Sequence, residues 1–155
     1  MSNDPVNHPS HYNGQFNMKP AECINLTQWL TFCLGNAVKY IWRCGDKNKA
    51  DHGFEDFKKA LWYLNRHCGL PESAHFTGAE DHARTVFKLL DEPDKETDLI
   101  GYWKYWTIYN LLQEGEGRNG NPSWGGDVMV AFTKLAETMV AKNLWPEEAA
   151  DVWGL

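Results

Sequence analysis

Apolar residues recur along this chain with the period of an α-helix. From about Thr27 to Cys44, Leu30, Leu34, Ala37, Val38 and Ile41 fall on one face, and Gly45 stands where a left-handed cap is expected. A polar turn through Lys49 leads to Asp51, a natural N-cap, and to a second helix over roughly 53 to 67. Its inner face is Phe54, Phe57, Ala60, Leu61 and Leu64, while Glu55, Lys59, Trp62, Tyr63 and Arg66 gather opposite, and Gly69 and Pro71 end it. Thr77-Gly78-Ala79-Glu80 fits a capping box opening a third helix to about Leu90. The acidic connector Asp91 to Asp98 is the best candidate boundary by composition, and the chain is read as a helical region over 1–69 with a helical extension over 70–155 packed on it as one domain.

Beyond it, Leu99 to Leu112 puts Tyr102, Trp103, Tyr105, Trp106 and Tyr109 into one helix, so part of its surface must be buried or meet a partner. A glycine-rich loop over 114–126 surrounds Arg118, Val128 to Lys142 resumes the helical pattern, and Pro146 in a first turn starts a short last helix. Residues 1 to 20, with Pro5, Pro9, Gly14 and Pro20, read as loop. No segment reads as a strand. The expected fold is all-α, a compact bundle of five or six helices behind an irregular N-terminal segment.

The polar side of the first long helix changes the picture. Asn36, Lys39, Tyr40 and Arg43 lie at i, i+3, i+4 and i+7, so they form one stripe with no acidic residue in it. Between Cys23 and Ala50 the charges are Lys39, Arg43, Lys47 and Lys49 against Asp46, a local +3 in a chain of net charge −6. Any surface helix is polar on its outer face, but such faces ordinarily mix Glu with Lys. Cations, an amide and a phenol instead make a set of donors suited to phosphate oxygens. On the second helix Glu55 and Lys59 read as an ordinary i, i+4 pair. If the two helices pack as an antiparallel hairpin, Lys59 and Arg43 face one cleft and Trp62 or Tyr63 can stack a base there.

Composition bounds the alternatives. With 155 residues, 43% hydrophobic and 14% aromatic, the chain has ample material for one core. Its negative charge argues against general DNA or RNA binding, though a short basic patch can hold one small phosphate ligand. Four cysteines, at 23, 33, 44 and 68, make no C-x-x-C pair and read as reduced thiols of an intracellular protein. The polar N-terminus has no signal-peptide core and no apolar run approaches a membrane span, so the protein is expected in the cytosol.

Other chemistry finds less support. His8 and His11 sit three apart in a proline-bound loop, which suits hydrogen bonding better than metal ligation, and no metal site is expected. The loop around Arg118 lacks the order of a Walker loop and reads as a flexible connection in which Arg118 can close over a ligand. Ser10 and the cysteines have no adjacent base.

Four ordered motifs carry a family resemblance: Val6-Asn7-His8-Pro9-Ser10-His11-Tyr12, Glu22-Cys23-Ile24, Leu34 through Gly45, and Glu55 through Leu64. Together they resemble a small bacteriophage family, the SaV-like domain of unknown function, whose best-known relative is a podophage early deoxynucleotide kinase. The resemblance spans residues 6 to about 67. It implies a phage origin, an all-helical self-associating protein, and contact with deoxynucleoside monophosphates without a Walker loop. The polar positions it covers are His8, Ser10, His11, Tyr12, Asn36, Lys39, Tyr40, Arg43, Glu55, Asp56, Lys59 and Tyr63. Cys44 stands where alanine is usual, and residues 70–155 have no counterpart in the short members.

The expectation is therefore a phage protein of the infected host's cytoplasm that binds a nucleotide, homo-oligomeric and away from membranes. Lys39 and Arg43 hold a phosphate, helped by Asn36, Tyr40, Lys59, Tyr63, His11, Tyr12 and Arg118. If it is a deoxynucleoside monophosphate kinase, Asp56 or Glu55 orients the acceptor or a Mg2+ ion, and a nucleoside triphosphate is the donor. The alternative is a non-catalytic sponge that sequesters a cyclic or ADP-ribose-type nucleotide immune signal, an anti-defence protein needing the same cations but no carboxylate. A third possibility is a stripe that contacts only a partner chain.

Overall fold

The computed structural model describes residues 22–45, 49–114 and 127–155. Among these the chain forms six α-helices and no strand: α1 (Cys23–Thr27), α2 (Phe32–Arg43), α3 (Phe54–Cys68), α4 (Glu80–Phe87), α5 (Leu99–Glu114) and α6 (Asp127–Ala141). The all-α expectation holds. No helix among the described residues is long and apolar enough to cross a membrane.

The helix expected from Thr27 to Cys44 starts only at Phe32, behind a separate short helix. α1 ends at Thr27, the chain turns through Leu30, and Thr31 starts α2 as its N-cap, its hydroxyl accepting from the Leu34 N–H at 3.4 Å. Periodicity hides this break because Leu26, Leu30 and Leu34 all stay buried across it. The two helices approach closely at Gly35, where a Cβ would lie 3.3 Å from the Thr27 carbonyl oxygen.

α2 then packs most extensively on α3. Arg43 at the end of one lies near Asp56 at the start of the other, and Phe32 at the start of α2 meets Tyr63 late in α3, so the pair is an antiparallel hairpin. Between them Gly45 and Gly53 take left-handed φ values of +82° and +81°, and a side chain at Gly53 would collide with the Cys44 and Gly45 backbone. The N-cap of α3 is Gly53 rather than the expected Asp51, whose carboxylate still accepts from the N–H groups of Glu55 (2.9 Å) and Gly53 (3.0 Å), bonds that hold it below the usual range.

The expected capping box forms only by half. Buried Glu80 accepts from the Thr77 and Gly78 N–H groups at 2.6 and 3.0 Å, but the Thr77 hydroxyl accepts from Ala79 and donates to the Trp29 carbonyl at 2.8 Å, tying α4 to the turn after α1. α4 stops at Phe87, short of Leu90. Pro146 precedes rather than opens a last helix, and the chain closes in two 3-10 turns, Glu147–Ala150 and Val152–Gly154.

One apolar core joins residues from both sides of the acidic connector. Trp42 of α2, Phe57 of α3 and Phe132 of α6 are essentially fully buried, and Trp145 packs on Phe57 at 4.8 Å and Phe54 at 5.4 Å. All four cysteines are free thiols. Burial pushes Cys23 and Cys44 up to about 12, against the opposing pull of nearby Lys39, Lys104 and Arg43 on Cys23 and of Lys104 on Cys44.

Candidate functional site

Because the apolar residues of α2 after Phe32 turn inward, Asn36, Lys39, Tyr40 and Arg43 are left half-buried on its outer side, where the polar face of α3 meets them. The Tyr40 ring is the centre of what forms. The Lys39 ammonium lies 4.3 Å from its centroid, the Lys59 ammonium 5.5 Å and the Arg43 guanidinium carbon 5.8 Å. Tyr63 stacks on Tyr40 with centroids 5.8 Å apart and planes 15° from parallel. The hairpin thus does bring Arg43 and Lys59 to one place, and Tyr63 with them.

The two carboxylates behave differently. Glu55 is exposed and pairs with Lys59 at 3.6 Å, the ordinary i, i+4 contact. Asp56 is only 4% exposed, and its Oδ2 accepts from Lys49 at 2.7 Å, with Arg43 Nε 3.8 Å away. A buried carboxylate needs such partners, since removing water from a lone charge costs several kcal/mol. Asp56 is a counter-ion beneath the cations rather than a group open to solvent. Lys39, by contrast, has no carboxylate within ion-pair distance among the described residues.

Beside the cluster an open groove of about 270 Å3 runs along the α1–α2 junction, lined by Thr27, Leu30, Thr31, Phe32, Gly35, Asn36 and Lys39. Lys39 belongs to both the groove and the Tyr40 cluster. Asn36 donates from its amide nitrogen to the Phe32 carbonyl at 2.8 Å, which presents the rest of the amide at the groove wall.

Two features escape inspection of the sequence. The chain after the connector reaches under the site: Lys104 of α5, 3% exposed, donates to the Trp42 carbonyl at 2.8 Å, and the Trp145 indole donates to the His52 carbonyl at 3.0 Å. That carbonyl also accepts from Gly45 at 3.1 Å, so the bend carrying Lys49 is pinned from both sides. No local signal marks these bonds, which span 62 and 93 residues. The burial of Asp56 was detectable, since it lies one turn before Ala60 on the edge of the inner face.

His8, His11, Tyr12, Ser10 and Arg118 lie outside the described residues. Among the described residues no three His, Cys, Asp or Glu side chains gather as a metal site would require. A family of proteins of unknown function, DUF3310, matches residues 6–65, under half of the chain and the same stretch that carries the four motifs. No curated protein and no solved structure matches.

Proposed function

We propose that this protein binds a nucleotide by its phosphate at the Tyr40 cluster, with Lys39, Arg43 and Lys59 as the cations and the Tyr40–Tyr63 pair as the adjoining aromatic wall. The observation that carries the reading is the gathering of three cations within 5.8 Å of one ring centroid. Like charges so placed repel one another, and an anion among them relieves the repulsion while taking charge-assisted hydrogen bonds.

The arrangement supports holding a phosphate better than transferring one. Asp56 is buried with its Oδ2 taken up by Lys49 and Arg43, and exposed Glu55 shares one oxygen with Lys59, so both carboxylates serve as counter-ions of the cations. The non-catalytic form is therefore the one put forward: a protein that sequesters a nucleotide, of which a cyclic or ADP-ribose-type immune signal is one candidate. From the resemblance of the first half come its setting and its rival. The setting is a phage-encoded, self-associating protein in the host cytoplasm, and the rival is a deoxynucleoside monophosphate kinase.

Incubation with dTMP or dGMP, Mg2+ and a triphosphate donor separates the two, the expected result being nucleotides recovered intact on denaturation. Appearance of a nucleoside diphosphate would establish transfer. Arg43→Ala is expected to weaken nucleotide binding by about 2 kcal/mol, the worth of a charged hydrogen bond, measured by calorimetry. Unaltered affinity would remove Arg43 from the site.

A further inference from the structure

We infer that the site extends beyond one nucleotide and takes a short single-stranded oligonucleotide, whose neighbouring bases stack on Phe32 and Trp62; the inference rests on the phosphate reading of the Tyr40 cluster. Phe32 and Trp62 are 75% and 60% exposed, large rings left in water on either side of Tyr63. Each meets Tyr63 edge to face, at 5.9 Å and 73° for Phe32 and 5.0 Å and 86° for Trp62. Tyr63 is stacked in turn on Tyr40, so the four rings form one connected strip that branches at Tyr63, with Phe32 beside the groove, Trp62 on the outer side of α3 and Tyr40 among the cations.

Cations flank these rings. Beyond Lys39, Arg43 and Lys59, α3 carries exposed Arg66 one turn after Trp62 and exposed Lys58 one turn before it, the latter over the Phe54 ring at 4.7 Å, while the acidic residues of α3 are confined to its first turn. A single nucleotide has one base and cannot use two separated stacking surfaces. Alternating aromatic platforms and backbone-tracking cations are the pattern by which single strands are held without sequence preference. The chain's net charge of −6 repels a long polyanion elsewhere on the surface, which limits the footprint to the strip, about three or four nucleotides.

The test uses the full chain with three probes: inorganic pyrophosphate, dTMP and fluorescein-labelled tetrathymidylate, read by calorimetry for the first two and anisotropy for the third. The tetranucleotide is expected to bind at least tenfold tighter than dTMP, with log affinity falling against log salt at a slope of about −2, as for three phosphates. Phe32→Ala and Trp62→Ala, both at exposed positions, are each expected to weaken it roughly tenfold while leaving pyrophosphate within about twofold. Tetranucleotide binding no tighter than dTMP overturns the extension and leaves the phosphate site standing. Failure of all three probes overturns both. A double variant that breaks up an oligomer in sedimentation but leaves tetranucleotide affinity unaltered shows a self-contact surface instead, and also overturns the inference.

Discussion

On the α2–α3 hairpin the tyrosines stand among cations: Lys39, Arg43 and Lys59 all lie within 5.8 Å of Tyr40. On α5 the rings stand among one another. Trp106 meets Tyr102, Tyr105 and Tyr109 at 6.2, 5.6 and 5.0 Å, Phe87 of α4 covers Tyr105 at 4.6 Å, and Lys95 approaches only the end of the row, 5.6 Å from Tyr102. The buried face of α2 is purely apolar, which leaves its charges outside. The buried face of α5 includes Lys104 and Thr107, which leaves its aromatics half outside. Aromatic content alone therefore says little about role. What each ring faces decides whether the surface is built to receive an anion or to cover itself.

The sharpest way to break this contrast is at Asp56. Asp56→Ala strands two partly buried cations and is expected to cost roughly 3 kcal/mol by denaturant unfolding, while tightening anion binding because the counter-ion is gone. A loss of both stability and affinity would mean that Asp56 orders the cations rather than neutralising them. The C-terminal end of α3 should show a pH effect. His67, 2% exposed and stacked on His75, has its pKa lowered from 6.5 to about 4 by burial and by the neighbouring His75. Between those values the unfolded chain binds a proton that the folded chain refuses, so stability falls as pH drops from about 6.5 to about 4 and is flat below. The loss is on the order of 3 kcal/mol, absent in His67→Phe if that variant folds.

Lys104→Ala removes a buried charged hydrogen bond that joins α5 to α2 and should cost about 2 kcal/mol, with anion affinity falling only if the end of α2 shifts. Trp106→Leu takes the centre from the α5 row and its 3.0 Å bond to Glu92, an expected loss of about 1 kcal/mol with no change in anion binding. A change in binding there would erase the distinction between the two faces.

The inner faces of α2 and α3 and the stripe Asn36, Lys39, Tyr40 and Arg43 were legible because helical periodicity sorts residues by side without any knowledge of partners. The break between α1 and α2 was not, since Thr31 interrupts the backbone without disturbing that sorting. Periodicity sets Asp56, one turn before Ala60, on the inner edge and Glu55 about 100° away, but it does not reveal the counter-ion that makes the burial tolerable, which is Lys49 arriving from the preceding bend. The inward Lys104 was hidden for a related reason, because its acceptor is a carbonyl at the end of another helix.

The two bonds that pin the site from below also bear on the order in which the protein assembles. The hairpin closes through contacts local in sequence, whereas Lys104 to Trp42 and Trp145 to His52 must close loops of 62 and 93 residues. Loop entropy makes such contacts late. As the chain leaves the ribosome, the cations of α2 and α3 are expected to assemble first, with the bend that holds Lys49 locking only after the last tryptophan-bearing turn arrives. A truncated chain ending before Trp145 would then carry the charges of the site without its final geometry.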